Sequence, residues 1–183
     1  PPSIADRLLG FTTYLTFADV RGVGITDANF SVIERMAHWQ AALGMWREHF
    51  WLGVGLGCYE PAYSAYRLMN WELPLGHAHN FYLNLLAETG LLGLVAYLVW
   101  QVAVILNLLR ARNHTAGWAR GLVLGLIGAW THLGVHSLVD NLLVNNVHLH
   151  VGVLLALGGW VIQRARIVSG DDHTEQDSEL RTP

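Results

Sequence analysis

The chain has 183 residues, of which 52% are hydrophobic and only 14% charged, with a mean hydropathy of +0.31. A soluble domain carries about a quarter charged residues, so this composition excludes an ordinary soluble globule and points to a membrane protein or the membrane part of one. A net charge of −3 with no basic tract argues against nucleic acid as a partner, and the single Cys58 excludes an internal disulfide and a thiolate metal centre.

The sequence opens Pro1-Pro2 with no initiator methionine and no signal peptide, which reads as the C-terminal piece of a larger protein whose upstream spans pack against it. Residues 4–17 contain apolar clusters broken by Asp6 and Arg7, the tail of an upstream helix. Residues 19–29 are rich in Gly, Asp and Asn and read as loop. Ser31-Val-Ile-Glu34 fits a capping box opening a helix over residues 32–49. Its apolar stripe is Val32, Met36, Trp39, Leu43, Trp46 and Phe50, an amphipathic pattern suited to a membrane surface. Arg35, His38, Ala42, Met45 and His49 share another face, so Arg35 can point into a cleft. The alternating Gly53, Gly55 and Gly57 follow a helix rather than a strand, so they read as a turn needing positive φ and not as a phosphate loop. Tyr59, Tyr63 and Tyr66 then mark a second short surface helix, its tyrosines placed to anchor at headgroups or stack on a sugar. Residues 1–78 thus read as an extracytoplasmic loop region with surface helices.

From His77 the character changes. His77, His79 and Asn80 lead into apolar sequence that runs almost to Arg110. Asn80, Asn84 and Glu88 recur every four residues and share one helix face. A carboxylate costs roughly 2.5–3.5 kcal/mol at a bilayer centre, so Glu88 is expected to face protein or water. Spans are predicted over about 81–109, 120–139 and 147–163, within a transmembrane region covering 79–166. Residues 167–183 are acidic, without an apolar face, and read as a disordered cytoplasmic tail. Arginines flank the loop at 110–120 and follow the last span, whereas the turn at 140–146 has none. The positive-inside rule therefore puts His79 and Asp140 on the outer side.

His79 at a lipid–water boundary can accept a proton near neutral pH. Arg35, helped by Arg67, offers a permanent cation for a diphosphate. His132, His136 and Asp140 are four apart, which suits either a metal site or a polar seam. A donor used on the outer face must arrive already activated, most simply on a lipid carrier.

Arg35 in Glu-Arg-Met-Ala-His-Trp-Gln-Ala-Ala, then Leu-Gly-Val-Gly-Leu-Gly-Cys-Tyr, then Ala78-His-Asn-Phe-Tyr-Leu-Asn-Leu-Leu-Ala-Glu-Thr-Gly-Leu-Leu-Gly93, resembles the O-antigen ligase and polymerase superfamily over about residues 34–140. The resemblance implies an all-α membrane protein, a fragment of a GT-C-like multi-span fold, acting without metal or other cofactor. It implies a glycosyltransferase of the bacterial inner membrane that moves a glycan from undecaprenyl diphosphate to lipid A core, a growing polysaccharide or protein. The family's essential histidine maps onto His79 and its diphosphate-binding arginine onto Arg35; Arg67, Asn80 and Asp140 are expected as further substrate contacts. A further family arginine in a Ser-Arg-Gly-like element has no counterpart, which implies that this piece alone is inactive, and Trp51 replaces a common Pro. The alternative is a transporter or flippase component with Glu88, His132 and His136 as a polar path.

Overall fold

The computed structural model describes residues 19–142 and 146–179, with the side chains of 168–179 left aside. The segment at 4–17, expected as the tail of an upstream helix, lies outside the described residues. Five helices and no strand occur among the described residues: α1 (Phe30–Glu48), α2 (Tyr59–Tyr66), α3 (Phe81–Asn113), α4 (Gly117–His136) and α5 (Val147–Glu179). They fall into two compact units. One holds the described part of Pro1–Ala96 together with Ser137–Asn141; the other holds Tyr97–His136 and the chain from Leu142 on.

In the first unit α1 packs on α2. The sequence predicted one apolar stripe on α1, but burial runs around most of its first four turns. Ile33, Ala37, His38, Ala41, Ala42 and Met45 are as buried as Val32, Met36 and Trp39. The face that carries Arg35 and His38 is therefore turned into protein rather than lying free. Phe50, at the end of the expected stripe, is exposed instead. The capping box does not form. Asn29 is the N-cap, and its side chain reaches back into the loop, accepting the Thr26 N–H at 2.7 Å and donating to the Gly24 carbonyl at 2.9 Å. The loop closure uses the oxygen that a cap would have used. Tyr59 and Tyr63, expected at headgroups or on a sugar, are instead core residues packed with Ala41, Met45, Ala78 and Ala87.

The glycine-rich turn after α1 docks on a break in α3. At Gly90 (φ 65°, ψ −167°) the helix interrupts its own hydrogen bonding. The carbonyls this frees on Ala87 and Glu88 accept the Val54 and Gly55 N–H groups, each at 2.9 Å. The Leu91 N–H returns a bond to the Phe50 carbonyl at 2.9 Å. This crossing has room only for glycine: a Cβ on Gly53 would meet the backbone of Ala87 and Glu88, and one on Gly90 the backbone of Trp51 and Leu52. Both also have positive φ. The Glu88 carboxylate, buried as expected, accepts the Tyr59 N–H at 3.1 Å and so ties the start of α2 to the same place.

In the second unit Leu108, Ala111, Val123, Leu126, Trp130, Val161 and Ala165 form one core between helices. Two helices are long and apolar enough to cross a membrane, Phe81–Asn113 and Val147–Ile167. Their apolar side chains stay largely outside the fold, with Leu92, Val99, Leu149 and Val153 each more than half exposed, as lipid-facing residues must be. The third expected span forms α4, of 20 residues, but it is not apolar enough to join these two; Arg120, Thr131, His132 and His136 dilute it. It also stops at His136, short of the predicted 139. α5 continues to Glu179, into the tail read as disordered.

Replacing Gly90 by Ala is expected to cost roughly 2–4 kcal/mol, since it adds both a left-handed Cβ and a backbone clash. Thermal unfolding of the detergent-solubilised protein should show a clearly lowered midpoint for this variant, and little change for Gly152→Ala, where added bulk meets open space.

Candidate active site

The site lies where the chain turns into α3, in the first unit. Asn80 caps that helix: its Oδ1 accepts the Leu83 N–H at 2.9 Å. Its Nδ2 donates to the Leu138 carbonyl at 2.7 Å, and the Phe81 N–H donates to the Ser137 carbonyl at 3.0 Å. These bonds hold the 137–140 segment beside the first turn. One turn on, the buried Asn84 accepts the Ala78 N–H at 3.0 Å. Asn80, expected as a substrate contact, thus has both side-chain polar atoms engaged in the scaffold.

Between these anchors His79 adopts φ 50°, a left-handed conformation that only a few per cent of non-glycine residues take. Strain of this kind, held by surrounding structure, concentrates at functional sites. The His79 Nδ1 lies 3.8 Å from Asp140 Oδ1, within ion-pair range but beyond a hydrogen bond. Its side chain is 19% exposed and that of Asp140 is 41% exposed. The other ring nitrogen, Nε2, is buried and has no hydrogen-bond partner. Such an orphan is costly unless something completes it.

Two further histidines crowd this ring. The His79 backbone N–H donates to His77 Nδ1 at 3.1 Å. That nitrogen must then carry a lone pair, so His77 is neutral with its proton on Nε2. His38 stands edge-on to His79 with ring centroids 5.4 Å apart, and stacks on Tyr63 at 4.8 Å. Its Nδ1 lies 3.0 Å from the Tyr59 hydroxyl. Burial pushes the His38 pKa down to about 4, and the neighbouring His79 and His77 act in the same direction. Burial also lowers the pKa of His79; His77 and Arg35 add to the effect, while Asp140 opposes it. Burial raises Tyr63 to about 12 and lifts Tyr59 further, so both phenols stay protonated. The result is a neutral imidazole with a carboxylate on one side and an unfilled nitrogen on the other.

Arg35, half-buried on α1, has its Nε buried without a partner and no salt bridge among the described residues. Its charge reaches His79, which puts guanidinium and imidazole in one neighbourhood. Arg67 is different: it is exposed and pairs with Glu72 at 3.3 Å. Asp140 was read as sharing a helix face with His132 and His136. α4 ends at His136, and the turn that follows carries Asp140 to His79 instead. His132 and His136 keep each other's company, with centroids 5.5 Å apart. Among the described residues, the potential metal ligands that cluster are His77, His79 and Asp140, whose ligand atoms lie within 4.8 Å of one another.

The O-antigen ligase family model matches residues 5–98, just over half of the chain. The chain belongs to the O-antigen ligase family. No curated protein and no solved structure matches it. The O-antigen ligase match covers α1, α2, the glycine crossing and the first part of α3. It therefore contains Arg35, Arg67, His77, His79 and Asn80, while Asp140 lies beyond it. Family membership brings a role in lipid-linked glycan transfer, and with the two apolar helices it makes this a membrane protein. The sequence pattern marks neither His77 nor His38 as a site residue: His77 stands there as a polar residue ahead of the helix and His38 as one member of a helix face. The signal available for His38 was its position one turn from Arg35 on that face.

Because the buried His38 titrates near 4 in the fold and near 6.5 when unfolded, the unfolded chain binds more protons between those values. Its contribution to stability is complete above pH 6.5 and lost as pH falls towards 4. Thermal unfolding across this range should fall more steeply for the wild type than for His38→Gln, by an amount on the order of a few kcal/mol at the acid end.

Proposed function

We propose that the protein transfers a glycan from undecaprenyl diphosphate to an acceptor hydroxyl on the outer side of the bacterial inner membrane, with His79 as general base. The observation that carries the reading is the His79 ring: its pKa lowered by burial, its Nδ1 within ion-pair range of Asp140, and its buried Nε2 unpartnered. A general base must be unprotonated at working pH and within reach of the proton it takes. The acceptor oxygen attacks the anomeric carbon while its proton passes to Nε2. The bond from that carbon to the diphosphate oxygen breaks, and the lipid diphosphate leaves with the electron pair. A single displacement of this kind inverts the anomeric centre. Asp140 steadies the imidazolium that forms. Arg35, whose charge is permanent, stabilises the diphosphate as its negative charge grows. Acceptors of the three family kinds (lipid A core, a growing polysaccharide, protein) all supply the required nucleophile. The arginine distribution along the sequence supports the outer side, since Arg110 and Arg112 follow the apolar run that His79 precedes.

Assayed in its full-length context, His79→Ala should lower transfer by about 10²–10⁴-fold with membrane insertion intact. Arg35→Ala should cost about 10²–10³-fold, and Arg67→Ala far less. The pH profile separates the roles. Wild-type activity should fall only as pH drops through a value below 6.5. Removing the Arg35 charge should move that acid limb to higher pH, because imidazolium is then less disfavoured. Asp140→Asn should move it to lower pH. Acid limbs that stay in place in both variants would refute the assignment of His79 as the titrating base.

Chelation should leave transfer intact, since no step requires a metal. Excess Zn²⁺ should inhibit by drawing His77, His79 and Asp140 together, and inhibition should weaken in Asp140→Asn. Loss of activity on chelation, restored by adding a metal, would contradict the mechanism.

A further inference from the structure

The second unit gathers its positive charge at one end. Arg110 and Arg112 close α3, Arg120 opens α4, and Arg164 and Arg166 lie near the end of the apolar part of α5. Residues 97–136 and 146–167 contain no Asp or Glu to balance them. The Arg164 guanidinium sits against two indoles, 6.0 Å from the Trp118 ring and 5.7 Å from the Trp160 ring, and the two rings stack at 5.7 Å. Both indoles are exposed, Trp118 by 66%. Arg164 lines two cavities of about 470 Å³ each. One is lined also by Asn113, His114, Thr115 and Trp118, which puts polar side chains beside the cation. Next to Asn113, the buried Nε of Arg112 has no hydrogen-bond partner.

We infer that the Arg164 cavity binds the headgroup phosphate of an anionic phospholipid. The geometry fits that ligand in three ways. The two helices able to cross a membrane, α3 and α5, pack together near these ends through Leu108, Ala111, Val161 and Ala165, so the cavity lies at headgroup level. Indoles favour that level because one edge is apolar and the other polar. An Arg set against the faces of a stacked indole pair offers its planar fork of N–H groups beside them, the arrangement that grips a phosphate. Basic pockets between membrane helices are a recognised form of anionic-lipid site. This is a second site, built from residues the transfer reaction does not use.

The test is native mass spectrometry of the detergent-solubilised protein titrated with phosphatidylglycerol or phosphatidylcholine. The wild type should retain phosphatidylglycerol and not phosphatidylcholine. Arg164→Ala should weaken retention about fivefold, Arg164→Lys should restore part of it, and the exposed Arg166→Ala should change it less than Arg164→Ala does. Equal retention of the two lipids would overturn the inference. So would full displacement by millimolar inorganic phosphate, which would mark a free-anion site. Lipid binding seen only after removal of residues 168–183 would also overturn it, because the acidic tail would then be the partner of these arginines.

Discussion

One side-chain amide sets the geometry on which the site depends. Asn84 is buried inside α3 and accepts the Ala78 N–H, closing the chain over the start of the helix. Asn80 does the complementary work from within the turn, capping the helix with its oxygen and holding Leu138 with its nitrogen. Leaving such buried groups unpaired costs about 1–3 kcal/mol each. The two amides therefore favour one path for the backbone, and that path places His79 at positive φ.

The glycine crossing performs a similar task on the far side of the same helix segment. A break at Gly90 exposes carbonyls that an unbroken helix would have used, and the turn at 53–55 satisfies them. Glu88 adds the start of α2 to the junction. In this way the end of α1, the start of α2 and the middle of α3 are tied together at one junction. In this unit the amides and Glu88 are hydrogen-bonded into the fold, while His79 Nε2, His38 Nε2, Arg35 Nε and Trp46 Nε1 are buried and unmet.

Much of this was legible in the sequence, and the parts that were not share a cause. The four-residue spacing of Asn80, Asn84 and Glu88 announced one polar face on an apolar helix, and all three are buried in hydrogen bonds. Spacing placed His79 at the helix mouth and separated Arg35 from the apolar stripe. It failed where a partner comes from far along the chain. Asp140 continued the His132–His136 period, yet the helix ends at His136 and the turn is drawn to residues 58 positions away, as in the bond from Asn80 to Leu138. Tyr59 and Tyr63 looked like surface anchors because their spacing is helical, but a face that packs on α1 reads the same as one that meets lipid. The capping box lost to a loop contact of Asn29 that no helix rule anticipates.

The central claim is that the His79 imidazole takes the acceptor proton, and chemical rescue addresses it most directly. Full-length protein carrying His79→Gly would be assayed for glycan transfer with a series of added imidazoles of different basicity. The account predicts that small imidazoles restore transfer, with rates that rise with the basicity of the added ring. Absence of rescue by any added imidazole, or rescue indifferent to basicity, would contradict it.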